Sequence, residues 1–225
     1  MVDTVTLKDG TPGWAWPLLP THRDSLARAF DELSPESRRL RFLTPVEHLS
    51  EAMLHQLVDE VDGVDHIALV LFAETPTQVL PIAIGRIVRY PEMNDVADLA
   101  VTVRDDWQGR GAATALLHLL ARHRPAGVHR ILTEVAMENP ASLAMLRHLG
   151  PLRVTDTGAG VFDVEIDLDS EPDVPTQVPE PTSATNRVHP ALDSPNRTYL
   201  RNRDRLCGWL NESHPETTGI DQSTS

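Results

Sequence analysis

The sequence predicts an α/β (α+β) fold: a single domain with a mixed, largely antiparallel central sheet flanked by helices, plus a disordered C-terminal tail. Three observations predict it. Helical periodicity dominates residues 21–61, two adjacent β-rich runs follow, and residues 97–169 then alternate strand, helix, strand, helix, strand, strand. An antiparallel pair followed by a β-α-β-α-β-β ending needs a sheet with both parallel and antiparallel neighbours. Beyond residue 170 prolines crowd in and apolar periodicity disappears, the composition of a chain that cannot bury enough surface to order itself. The domain is therefore placed at 1–169 and the tail at 170–225.

The elements follow in order. GWAWPLL reads as the first strand. THRDSLARAFDELS carries Leu26, Ala29, Phe30 and Leu33 at helical spacing, with Thr21 as the expected N-cap. SPESRRLRF starts a second helix with Ser34 as cap and Pro35 in the first helical position. SEAMLHQLVDEV reads as a third, short helix. HIALVLF and VLPIAIGRIVRY are β-rich runs joined by AETPTQ, a hairpin pattern. ADLAVTV is a strand, GAATALLHLLARH a helix, RILTEVA a strand and PASLAMLRHL a helix. Asn139 can cap that last helix, Pro140 suits its first turn, and Gly150-Pro151 ends it. LRVTD and GVFDVEIDLD close the domain as strands. Within the tail, Leu206, Trp209 and Leu210 fall at helical spacing, so a short helix near 199–211 is expected there, either docked or transient.

Composition excludes several functions. The 225 residues hold 33 acids against 20 bases, a formal charge of −13. Phosphate affinity depends on clustered Lys and Arg, so no nucleic-acid partner is expected, and cationic partners such as amines are favoured instead. The one cysteine, Cys207, precludes an intrachain disulfide. No signal pattern opens the chain and no run approaches about 18 apolar residues, so a cytoplasmic protein without membrane attachment is expected. Lys8 is the sole lysine beside 19 arginines, which reads as a codon bias or as avoidance of self-labelling.

Residues 105–114, DDWQGRGAAT, put two glycines, an arginine and small residues into one bend before an apolar helix. A P-loop needs a lysine after its last glycine, and Ala112 stands there. A dinucleotide fingerprint needs a small residue where Thr114 stands and its first glycine directly after the strand, where RDDWQ intervenes. Both fail. What remains is a helix N-terminus whose first N–H groups lack intrahelical partners and whose dipole adds positive potential. Glycine lets a diphosphate approach such a main chain, and Arg110 adds a cation. A plain helix entry is the competing reading.

Gln108-Gly109-Arg110-Gly111-Ala112-Ala113 after a strand, then Asn139-Pro-Ala-Ser142 followed by AMLRHLG, resembles the GNAT superfamily of acyl-CoA N-acyltransferases. The resemblance spans roughly residues 12–168. LSPESRRLRFL, VDHIALVLF and ADLAVTVRDDWQGRGAAT are similar to the GNAT domains of bacterial protein lysine acetyltransferases, the kind that modify acyl-CoA synthetases. The nucleotide-sensing or ligase-like domains often joined to that group have no counterpart in this sequence. The resemblance implies acetyl-CoA as co-substrate, no metal, and a protein lysine as acceptor, an acyl-CoA synthetase being a candidate partner. It places the pyrophosphate on the backbone amides of Gln108 to Ala113. It runs the pantetheine arm beside Val101 and Val103 like an added strand, in a wedge opened where the next strand splays away. Asn139 and Ser142 would line the far side of the arm; as a plain N-cap and a first-turn residue they need no ligand.

An amine attacks a thioester only when neutral, and a free lysine has a pKa of about 10.4, so a carboxylate must take the proton. Where the resembling enzymes carry a glutamate, this chain has Asp98, one methylene shorter and suited to act through a bridging water; a solvated or capping carboxylate at a strand edge is the competing reading. Glu134, ending ILTE, is the reserve base. The family's tyrosine after Asn139, which protonates the leaving thiolate, has no equivalent in ASLAML. Small amines or protein N-termini are alternative acceptors, and a non-catalytic acyl-CoA-binding sensor is the alternative outside the enzyme class. Asp163, Glu165, Asp167 and Asp169 share one strand face, either solvated or open to a cationic substrate. Arg38, Arg39 and Arg41 read as a solvated helix face. His118 and His123 lack ligand spacing, which agrees with the absence of a metal from the expectation.

Overall fold

The computed structural model describes residues 3–171. The expected tail beyond them, with its helix near 199–211 and Cys207, lies outside the described residues.

An eight-stranded mixed sheet forms the frame, in the order β1-β2-β3-β4-β5-β6-β8-β7. The first strand is β1, Asp3–Thr6, paired antiparallel with β2, Pro12–Pro17. The sequence reading missed β1 because DTVT is too short to show alternation; only pairing with β2 makes it a strand. β2 then pairs with β3, His66–Glu74. β3, β4 (Val79–Tyr90) and β5 (Met93–Val103) form the antiparallel meander expected of the two β-rich runs and their successor. β6, Arg130–Ala136, runs parallel to β5; β7, Leu152–Asp156, and β8, Val161–Asp167, complete the sheet, with β8 between β6 and β7.

The helices obey their caps, with one exception. α1, Arg23–Asp31, starts one residue later than Thr21 as cap requires, after a 3₁₀ turn over Pro20–His22, and has no side-chain cap. Pro20 presets the helical φ, so the turn begins before Thr21 can act as a cap. α2, Pro35–Phe42, begins as expected, Ser34 Oγ accepting from the Ser37 N–H at 3.1 Å. α3, Glu51–Leu54, is capped by Ser50 and widens into a π turn over His55–Asp59. α4, Ala112–Arg122, and α5, Pro140–Leu146, follow β5 and β6.

Strand alternation divides the sheet into two faces. Leu71, Ile87, Leu99 and Ile131 belong to the main core with Leu116, Leu117 and Leu120 of α4. A Cβ at Gly85 would lie 2.7 Å from Leu120 and 3.1 Å from Leu116, so α4 sits close on β4 and a larger residue there must displace the ends of those leucines. On the other face a smaller core of Leu18, Val58, Ala68 and Val70 packs with Leu26 and Ile84. Asp98, Ala100 and Thr102 of β5 are opposite Val88, Arg86 and Ile84 of β4 on this second face.

Candidate active site

The parallel partners β5 and β6 stay together only briefly. Val96 pairs with Arg130 and Ala97 with Ile131; beyond them the ladder ends although both strands continue. At the point of separation the Thr133 hydroxyl, 7 % exposed, donates to the Leu99 carbonyl at 3.0 Å. A side chain thus stands where a ladder N–H would, which satisfies the buried carbonyl while the backbones part. Because the Leu99 carbonyl faces β6 and Arg104 N–H bonds Ile82 of β4, the main-chain groups of Val101 and Val103 face the split by the same alternation. Among the described residues they have no ladder partner on that side. Thr133→Val should lower stability by about 1–3 kcal/mol by leaving that carbonyl unsatisfied; a denaturant midpoint equal to wild type would show that water substitutes for the hydroxyl.

Past the end of β5 the chain makes a 3₁₀ turn, Asp105–Trp107, and then the glycine bend. Gly109 and Gly111 take φ of 75° and 88°, and Gly111 is the N-cap of α4 with no side-chain cap. Among the described residues no acceptor engages the N–H groups from Gly109 through Thr114. A row of unpaired donors at a helix N-terminus can receive an anion. The two glycines have different causes. A Cβ at Gly109 meets nothing within 4 Å, whereas one at Gly111 would lie 3.1 Å from the Lys8 side chain. The bend is packed against the β1–β2 turn, with Lys8 N–H bonded to the Arg110 carbonyl at 2.9 Å. Gly111 is therefore required by the fold itself as well as by its left-handed φ. Arg110 lies over the Trp107 ring at 4.6 Å and 3.7 Å from Asp9.

The bend is also fastened to α2. Asp105 accepts from the Ser34 N–H (2.7 Å), the Ser34 and Ser37 hydroxyls and the Gln108 amide. Burial alone would raise this carboxyl, but the hydrogen bonds from Ser37 and Ser34 outweigh it and hold the group below the usual range. At its other end α2 reaches the loop after β6 through Arg39 and Glu138, 2.5 Å apart. So α2 is tied to the loops that follow both diverging strands. Asn139 stands in the second loop and caps α5, its Oδ1 accepting from the Ser142 N–H at 3.1 Å. The capping role expected of Asn139 is present; the two residues sit at the carboxyl end of β6 as Gln108 to Ala113 sit at that of β5.

Asp98 lies where the split begins, half-buried in the middle of an interior strand. It lies in an interior strand of the sheet and caps no helix, at the point from which β5 is no longer paired with β6. No hydrogen bond among the described residues engages it, while its charge acts on Arg41, Arg86 and Tyr90. Tyr90 is buried, its hydroxyl donating to the Leu132 carbonyl at 3.2 Å. Burial first, then the carboxylates of Asp98, Glu134 and Asp163, push this phenol above its ordinary pKa. Glu134 pairs in register with Asp163. The structure therefore gathers both sequence-named carboxylates, Asp98 and Glu134, around one phenol on the second face of the sheet.

Two sequence readings change. Arg38, Arg39 and Arg41 are not a solvated face: Arg38 approaches the Phe30 ring, Arg39 holds Glu36 and Glu138, and Arg41 turns inward beside Phe42. The acidic stripe of β8 is largely neutralised, since Glu165 pairs with Arg130 and Arg153, and Asp169 with Arg124 and His129. Only Asp163 joins the candidate site. Missed altogether were Tyr90, Asp105 and Arg86; an arginine inside the apolar run IAIGRIVRY was the available signal, because arginine is seldom buried without a partner.

Residues 27–150 match the acetyltransferase (GNAT) family. The chain is 30 % identical over 188 residues to Acetyltransferase Pat of Mycolicibacterium smegmatis, covering 82 % of this chain and 55 % of that protein. It is 29 % identical over 146 residues to an acetyltransferase of Pseudomonas aeruginosa, covering 64 % of this chain and 77 % of the relative. Among solved structures, the GNAT domain of S. lividans PAT is similar with a TM-score of 0.64 at 29 % identity, covering 74 % of this chain and 97 % of that one. This chain thus spans about half the length of the first relative and most of the second.

Proposed function

This chain belongs to the acetyltransferase (GNAT) family, and from that premise we propose that it transfers an acetyl group from acetyl-CoA to a primary amine, with the ε-amine of a protein lysine as the acceptor. The observation that carries the reading is the split of β5 from β6, flanked by an unpaired N–H row at one end and by Asp98 at the other. The residues fit acetyl-CoA: an open cradle at Gly109 with free donors suits a diphosphate, and the unpaired edge at Val101 and Val103 suits an amide-bearing arm. Arg110 adds positive charge beside the bend, and Asn139 and Ser142 border the arm from the β6 side.

Acetyl-CoA supplies the activated acyl carbon. The protein supplies orientation, proton removal and charge stabilisation. Asp98 accepts the proton of the incoming ammonium through a water, with Glu134 on the same face as the reserve base. Main-chain N–H groups along the opened edge of β5 stabilise the developing oxyanion. The Glu134–Asp163 side of the face attracts a cation, so a lysine approaches from there, away from Arg41 and Arg86. The similarity to relatives called Pat supports a protein substrate, and an acyl-CoA synthetase is the candidate.

Mass spectrometry of a proteome incubated with the protein and labelled acetyl-CoA tests the reading. Labelled acetyl-lysine is the expected result. Stabilisation by acetyl-CoA with no acceptor-dependent thiol release would mark a sensor instead, a reading that the loss of the thiolate-protonating tyrosine from α5 favours.

A further inference from the structure

Between α1, α2 and strands β3 to β5 lies a cavity of about 380 Å³, walled by Leu26, Phe30, Phe42, Val70 and Phe72 among others. Three guanidiniums also line it: Arg41, Arg86 and Arg104. Arg104 has a partner, Asp106, at 3.2 Å. Arg41 and Arg86 form no ion pair among the described residues. Arg41 rests on the Phe42 ring at 4.8 Å, and the buried Arg86 Nε has no hydrogen-bond partner.

Burial lowers both guanidiniums from the usual arginine range, and the charge of Arg86 lowers Arg41 further. Arg41 is pushed down to about 9, by burial first and Arg86 second, and so stays charged at neutral pH. Asp98 opposes the shift at both, and Glu60 opposes it at Arg86, from beyond ion-pair distance. Two half-buried like charges without a direct counter-ion are costly unless an anion joins them. A carboxylate fits planar guanidiniums by paired N–H donors. Asp98 precedes by two residues, on the same strand face, the cavity-lining Ala100. One border of the cavity thus suits an ammonium, the guanidiniums suit a carboxylate, and the walls suit an apolar body.

We propose that this cavity takes a free α-amino acid with an aliphatic or aromatic side chain, and that its α-amine is a second acceptor for the acetyl group. The proposal rests on the acetyl-CoA reading above. A lysine side chain alone leaves the guanidiniums unmet, and a peptide bond removes the carboxylate they need, so the cavity selects the free amino acid. The α-ammonium gives one proton to Asp98, the neutral nitrogen forms a C–N bond with the thioester carbon, and the C–S bond breaks. The second nitrogen proton passes to the departing thiolate. The products are an N-acetyl amino acid, the thiol of coenzyme A and one proton released to solvent.

The test uses the full chain loaded with coenzyme A and titrates L-leucine, L-phenylalanine and their amides by calorimetry. The acids should bind at least about ten-fold more tightly than the amides, since each tenfold is only about 1.4 kcal/mol of charge recognition. With acetyl-CoA, both acids should give saturable thiol release and N-acetyl products by mass spectrometry. Arg86→Gln should bring the leucine-to-leucinamide ratio of kcat/KM close to one; Arg41→Gln serves if the first variant does not fold. Equal binding of acid and amide, or acetyl-CoA binding without any acetylated amino acid, overturns this proposal alone. Failure to bind acetyl-CoA at all overturns the donor reading and this proposal with it.

Discussion

Asp98→Ala lowers turnover by about two to four orders of magnitude, the usual contribution of a positioned base, while acetyl-CoA affinity is retained. The reason is positional. Asp98 faces the α1–α2 side of the sheet, whereas the main-chain edge and the N–H row that suit the coenzyme point into the split and beyond it. Loss of a base acts at the chemical step, so kcat falls with kcat/KM while the coenzyme dissociation constant stays put. Because Asp98 also offsets Arg41 and Arg86, Asp98→Asn is the companion variant: it keeps the shape and removes only charge and basicity. Stopped-time thiol release measures turnover and calorimetry measures the coenzyme. Wild-type turnover in both variants, with a collapse in Glu134→Gln, would move the base to Glu134.

The second large effect is at the glycine bend. Gly109→Glu abolishes measurable acetyl-CoA binding, because it sets a carboxylate in the open space beside the unpaired N–H row. Gly109 is the informative position: its φ of 75° disfavours most side chains, but nothing stands within 4 Å of a Cβ there. Gly109→Asn is the control, since asparagine tolerates the left-handed region and carries no charge; it should bind the coenzyme. Gly111→Glu should abolish binding too, but with a drop in melting temperature, because its Cβ meets Lys8 at 3.1 Å and displaces the β1–β2 turn. Full binding by Gly109→Glu would remove the bend from the site.

The caps and periods of the chain were readable because they act over a few residues. Ser34 and Asn139 sit where a hydroxyl or amide meets an N–H three residues on, and the strands from residue 66 onward follow apolar runs. The pattern from Gln108 to Ala113 was readable for a similar reason: glycines with positive φ at a helix start are a local requirement. Three features were not readable, each depending on residues far apart in sequence. Asp105 fastens the bend to Ser34, and the cause is the packing of α2 across the loop. Lys8 excludes a side chain at Gly111 only because β1 folds beside α4. Arg41 and Arg86 share a cavity with no periodicity to announce it.

By itself the sequence specified the family pattern, the order of the elements after β1 and the carboxylate on the strand before the bend, since local spacing and capping need no partner from elsewhere. Only the tertiary structure decided that β5 and β6 part at Asp98, that Glu134 and Tyr90 stand on the same face, and that two arginines meet unpaired beside it. Strand pairing and helix packing set those distances, and they follow from how the whole sheet closes its core.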